Sequence, residues 1–226
     1  MLQQRLVFGA YPEVVLTPNP VRLLHEFSAD YLWKDVLQTG LIKTPDLIKR
    51  LLLLLAHQIS SEVSVNELAT QLGMARPVVE RYLDLLEQTF VIFRYLPVAL
   101  VQHQPTQGDC QGPQGVFWDT GICNALLNAF ATEELRPDIS LLWENWTIAE
   151  IAKRNALLGA PAELFFWHSR TQSEVDLVVK QDGCLRAFEI KWSGRRTRNR
   201  AFRDTYGVSV ETIGLENPFV ADLLEA

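Results

Sequence analysis

The chain has 226 residues, 48% apolar and 21% charged, which excludes disorder and supplies apolar material for one large or two small cores. Gly 12 and Pro 11 exclude a low-complexity or collagen-like chain, and Cys110, Cys123 and Cys184 form no CxxC that would mark a zinc ribbon or a disulfide framework. Net charge is −6, the longest apolar run (51–56) falls far short of the ~20 residues that span a bilayer, and no secretory signal opens the chain, so the expectation is a soluble, cytoplasmic protein with no membrane partner.

In chain order, residues 1–40 read as an N-terminal helical segment. Leu23, Leu24, Phe27, Tyr31 and Leu32 make one helical stripe over 21–38, after Pro18 and Pro20. A second helix over 47–59 is apolar nearly all round, which predicts burial. Ser64 followed by Glu67 is a capping box for a helix that runs to Leu72 and is ended by Gly73. Pro77 sits in the first turn of the next helix, which runs to about 88. Residues 90–101 read as a strand bent or placed at an edge by Pro97. Two helices joined by a short Gly-containing turn and followed by a β-ribbon predict a winged helix-turn-helix over 41–102. Ala69, Gly73 and Val79 have the spacing such a pair needs. The second helix sets Arg76 and Arg81 against Glu80, Asp84 and Glu87, a balance poorly suited to phosphate, so a scaffold or protein-contact role is favoured for it.

The Gln-, Gly- and Pro-rich stretch 102–115 is the expected domain boundary. Beyond it, 115–226 reads as an α/β (α+β) domain. A strand end at 116–119 is followed by helices over 122–130 and 141–158, the second with Trp143, Trp146, Ile148 and Ile151 towards a core. Strands follow over 164–168, 174–179, 185–192 and 209–213. His25, His57, His103 and His168 show no ligand spacing, and only His168 lies on a strand beside the acidic hairpin described next.

Asp182-Gly183 is the preferred two-residue hairpin loop, because both central positions take positive φ. That loop sets Asp176 opposite Glu189 and Glu174 opposite Lys191. Alternation then puts all four on one face and Val175, Leu177, Val179, Phe188 and Ile190 on the other. Opposed carboxylates destabilise a strand pair unless a cation sits between them. Mg²⁺ or Mn²⁺, with water completing the shell, answers that need, and Lys191 would bring positive charge to a phosphate or orient the attacking water. The competing interpretation is a solvated hairpin face with a Glu174–Lys191 ion pair. Six of the 21 basic residues (Lys191, Arg195, Arg196, Arg198, Arg200 and Arg203) then follow without an acid, leaving 15 basic residues against 27 acidic ones elsewhere. That run reads as an anion site or as a solvated loop.

The spacing Asp176…Glu189-Ile190-Lys191 resembles the PD-(D/E)xK restriction-endonuclease-like superfamily. The whole chain resembles the C-terminal region, a domain of unknown function, of predicted bacterial and archaeal AAA-type ATPases. The residues that carry this second resemblance are Phe8-Gly9-Ala10-Tyr11-Pro12-Glu13-Val14, Phe117-Trp118-Asp119-Thr120-Gly121, Trp143-Glu144-Asn145, Phe166-Trp167 and the hairpin itself. It implies a winged helix followed by a restriction-endonuclease-like mixed-sheet domain. The nuclease-like motif implies catalytic Asp176, Glu189 and Lys191 and metal ligands Glu144, Asp176 and Glu189. Arg195, Arg196, Arg198 and Arg200 follow the hairpin strand directly and are expected to reach a DNA phosphate at the Lys191 face. The activity implied is Mg²⁺-dependent DNA hydrolysis, and the alternative is a non-catalytic DNA- or protein-binding module that partners an ATPase domain. Val175 replaces the proline of the nuclease motif, and Gln114-Gly115-Val116-Phe117 replaces a Lys-Ile/Val-Tyr segment. No GxxxxGK[ST] occurs, so no nucleotide is expected here, and the ATPase domain is expected to be absent from this chain.

Overall fold

The computed structural model describes residues 2–31, 45–98, 112–132, 135–159, 161–169, 173–193 and 199–216. They form a mixed α/β protein that divides into two compact units, residues 1–94 with 115–146 and residues 95–114 with 147–226. The division falls inside elements, whereas the sequence suggests a boundary between 102 and 115.

The first unit is helical. α1 (Leu2–Phe8), α2 (Pro12–Leu16) and α3 (Pro20–Glu26) open it, and α3 passes into a π-turn over Phe27–Tyr31. The rest of the helix expected over 21–38 lies outside the described residues. α4 (Pro45–His57) buries Ile48, Leu51, Leu52 and Leu55, but Leu53 is 38% exposed, so this helix has a solvent side that its near-continuous apolar sequence hides. In α5 (Val65–Leu72) the Ser64 Oγ accepts the Glu67 N–H at 3.3 Å, and Gly73 stops the helix in the left-handed conformation at φ 64°. α6 (Arg76–Gln88) has Pro77 in its first turn and buries Val79, Tyr82, Leu83 and Leu86. α7 (Thr120–Leu127) packs against α1, α3 and α4.

Phe8-Gly9-Ala10 and Asp119-Thr120-Gly121 interlock within this unit. The Asp119 carboxylate caps α7 by accepting the Gly121 and Ile122 N–H groups at 2.8 and 3.2 Å, and it accepts the Ala10 N–H at 2.8 Å. A Cβ on Gly9, where φ is +74°, would stand 2.0 Å from Asp119 Oδ1, and one on Gly121 would stand 2.3 Å from the Phe8 carbonyl oxygen. Only glycine fits at either position. Asn145 closes the same unit by exchanging two 2.8 Å hydrogen bonds with the Phe117 backbone.

Strands β1 (Ile92–Pro97), β2 (Gln114–Phe117), β3 (Glu163–His168), β4 (Glu174–Gln181), β5 (Cys184–Ile190) and β6 (Val210–Ile213) form one sheet in the order β2-β1-β3-β4-β5-β6. β1 and β2 cross the division between the units, as does α8 (Ile139–Ala156). β1 is the hydrogen-bonded neighbour of β2 on one side and of β3 on the other. It lies parallel to β3, with Leu96 opposite Phe165. In the second unit β3, β4 and β5 are antiparallel neighbours, and β6 is parallel to β5. α9 (Arg200–Tyr206) follows the hairpin. Asn199 caps it by accepting the Phe202 N–H at 3.1 Å, and fully buried Phe202 stands edge-on to Trp167 at 5.3 Å. Two of the six residues of the basic run are therefore not in a loop: Arg200 and Arg203 sit on the outer side of a helix whose other side is core. Among the described residues, no helix is long and apolar enough to cross a membrane.

Candidate functional site

The β4–β5 hairpin turns at Asp182 and Gly183, with φ 50° and 79°, and its register runs from Gln181↔Cys184 to Leu177↔Phe188, as the loop length requires. Against β3, however, the register moves by one. Val178 stands opposite Phe165 and Val175 opposite Trp167, so Asp176 and Leu177 both face the single residue Phe166. This is a β-bulge, and it corrects the strict alternation expected for β4. Val175 does not share a face with Leu177. It joins Val178, Ala187, Phe165, Trp167 and Phe202 in one apolar cluster.

The bulge occurs where the acidic side chains gather. Asp176 is 7% and Glu189 4% exposed. Asp176 Oδ2 accepts the Ile190 N–H at 2.6 Å, just beyond the last paired residues of the hairpin, Leu177 and Phe188. Lys191 Nζ lies 3.6 Å from Asp176 Oδ2 and 4.0 Å from Glu189 Oε2, and its side chain is 35% exposed, so the ammonium faces both carboxylates and solvent. The expected Glu174–Lys191 pairing is replaced by this arrangement. Burial pushes the Asp176 carboxyl up to about 6, against the pull of Lys191 and the Ile190 N–H, while Glu174 and Glu189 add to the rise. Glu189 Oε2 is buried and has no hydrogen-bond partner among the described residues. Hard oxygen donors with one orphaned atom fit a divalent cation better than they fit a closed ion pair.

The structure thus brings Asp176, Glu189 and Lys191 together. Glu144 lies half-buried on α8, in the first unit. Among the described residues no group of three or more His, Cys, Asp or Glu side chains is placed to hold a metal ion. Arg195, Arg196 and Arg198 lie outside the described residues. Arg200 is exposed and lines a polar cavity of about 230 Å³ with Asn199, Arg203, Ser209 and Val210. His168 ends β3 opposite Glu174. In the first unit, Arg76 is held by Glu80 at 2.8 Å, and Arg94 by Asp84 and Glu87 at 2.6 and 2.5 Å.

One contributor escapes sequence reasoning. Tyr95, 4% exposed on β1, donates its hydroxyl to the Asp176 backbone carbonyl at 3.0 Å and meets Gln114 Oε1 in a short contact. Alternation marks Tyr95 as a core position and nothing more, because its partner is 81 residues away.

A helical unit and a mixed-sheet unit bearing a buried acid–lysine cluster define the class of protein. By sequence the chain belongs to the family described as Domain of unknown function (DUF8612), whose family model matches residues 1–133. Residues 140–217 match a second, described as Domain of unknown function (DUF4143). The chain is similar to an uncharacterized protein of Mycobacterium tuberculosis and one of Mycobacterium bovis, each 29% identical over 177 residues. Those residues are 76% of this chain and 38% of each relative, so the match spans well under half of the relatives' length. No solved structure matches.

Proposed function

We propose that the second unit is a restriction-endonuclease-like domain that holds Mg²⁺ or Mn²⁺ at Asp176 and Glu189 and hydrolyses DNA phosphodiesters, as part of a protein that works with an ATPase domain. The observation that carries this reading is the buried carboxylate pair with an orphaned Glu189 oxygen and a solvent-facing Lys191. A cation bound there supplies a more acidic bound water and stabilises charge on a phosphoryl oxygen. The chain's own residues do the rest. The Ile190 N–H fixes one oxygen of Asp176, and Glu189 presents a buried oxygen that accepts no hydrogen bond among the described residues, with the Lys191 ammonium 4.0 Å away. Lys191 extends a positive charge from the carboxylates towards solvent, where a phosphate would approach. Arg200 on α9, with Arg195, Arg196 and Arg198 before it, would neutralise neighbouring phosphates. The helix-turn-helix of α5 and α6 completes the reading as a winged-helix contact module.

The test is Mn²⁺-dependent cleavage of plasmid and branched DNA by the wild type and by Asp176→Ala. The expected result is cleavage by the wild type and a loss of about 10²- to 10³-fold in the variant. No cleavage by either, with no Mn²⁺ bound to the wild type, overturns the enzyme reading. A second reading, a non-catalytic module that presents a protein partner to an ATPase, is favoured by one observation. Arg76 at the start of α6 and Arg94 after it are already engaged by Glu80, Asp84 and Glu87.

A further inference from the structure

β1 is not a neighbour of β4, because β3 lies between them. Tyr95 nevertheless reaches from β1 to the Asp176 carbonyl. Its ring stands edge-on to Phe166, at 5.4 Å and 75°, and Phe166 is the one residue that faces both bulged residues of β4. The aromatic pair therefore occupies the space over the bulge, and the hydroxyl arrives at 3.0 Å from the Asp176 carbonyl oxygen. A hydroxyl has one proton to give, and a carbonyl can only accept. The hydroxyl faces two acceptors, the Asp176 carbonyl and Gln114 Oε1, and turning the Gln114 amide so that its NH₂ donates to the Tyr95 oxygen would leave the proton for Asp176.

We infer that Tyr95 is a positioning residue for the acidic site: it pins the β4 bulge so that the Asp176 carboxylate is aimed at Ile190 and Lys191. Its importance for chemistry rests on the reading of Asp176 as a functional ligand, but the positioning itself does not. A strand whose extra residue is not fixed can relax its register, and a shift of one residue reverses every side chain. The bulge turns Asp176 out of the ladder, and Tyr95 holds the backbone atom on which that turn depends. Displacements of about 1 Å at a reacting group are enough to cost two orders of magnitude in rate, so a buried hydroxyl far along the sequence bears directly on the site.

The experiment is Tyr95→Phe in the full chain, which keeps the ring on Phe166 and removes only the hydroxyl. Its main readout is the Ile190 backbone amide, observed by its proton shift and its hydrogen-exchange protection, because this amide donates to the Asp176 carboxylate. We expect Ile190 protection to fall about tenfold while the Ala187 and Phe188 amides, in the paired part of the hairpin, change by less than about twofold. Mn²⁺ affinity is measured alongside and is expected to fall about tenfold. An unchanged Ile190 amide overturns the inference whatever the metal does, and so does a uniform loss of protection along β4 and β5, which would signal a merely structural role. If Ile190 responds locally but the wild type binds no Mn²⁺, the positioning role stands and the metal reading falls. Should Tyr95→Phe fail to fold, Gln114→Met is read instead. It removes the amide from the Tyr95 oxygen and should move the Ile190 resonance in the same direction by a smaller amount, and no movement overturns the inference.

Discussion

Asp119 in the first unit and Asp176 in the second are both aspartates with under a tenth of their surface exposed, yet their carboxylates are treated oppositely. Asp119 accepts three backbone N–H groups, two from the helix it caps and one from Ala10. Asp176 accepts one backbone N–H and shares a more distant ammonium with Glu189, which itself has an orphaned oxygen. Burial alone therefore says little about an acid's surroundings, and the number of donors that meet its carboxylate says more. The first is satisfied by three backbone donors, whereas among the described residues the second has one backbone donor and the Lys191 ammonium.

The comparison is broken most severely by Asp119→Ala, which leaves three backbone donors without their acceptor. An expected loss of about 3 to 5 kcal/mol in urea unfolding follows from charge-assisted hydrogen bonds and the penalty on buried donors. A loss below about 1 kcal/mol would mean that the interlock with Gly9 and Gly121 carries no stability. The opposite sign is expected at Asp176. Because its folded carboxyl titrates near 6, above the ~3.9 of an unfolded aspartate, the folded state holds this proton more tightly. The associated stability is fully present below about pH 4 and is lost as pH rises through 6, by about 2 kcal/mol. The stability of the wild type relative to Asp176→Asn should therefore rise by that amount between pH 7.5 and pH 4. At pH 7.5 the Asn variant should be as stable as the wild type or about 1 kcal/mol more stable, since a desolvated charge has been removed. A flat difference across that range would refute the raised titration. The smallest effect on folding should come from replacing Arg195, Arg196 and Arg198 by Ala. Thermal stability should hold, while the slope of log affinity against log salt for duplex DNA flattens by about 2 to 3 units. An unchanged slope removes this segment from any DNA-binding surface.

Much of this organisation is written in local signals. Asp182-Gly183 sets the hairpin register, Ser64 and Gly73 bound α5, and Pro77 opens α6, each through a rule that involves only neighbouring residues. Features that depend on distant partners are not written there. The bulge at Asp176 and Leu177 carries no glycine or proline to announce it, because it is set by Phe166 on one side and Tyr95 on another strand. α9 was hidden for a different reason: Arg200 and Arg203 dominate the composition, although Phe202 and Tyr206, four apart, mark its buried side. The strand after α6 has the alternation of a ribbon, and nothing local says that it joins the larger sheet. The acid–lysine cluster was legible because a tight turn fixes which residues of two strands meet.

The contact between Ala10 and Asp119 also constrains the order of events during synthesis. The two residues are 109 positions apart, so at about 5 to 20 residues per second a ribosome needs about 5 to 20 s to deliver the second after the first. For that interval Leu6 and Val7, which end fully or almost fully covered, have no α7 to cover them. The amino-terminal helices of a nascent chain must wait for their binding surface, and the first unit is completed from its middle back to its beginning.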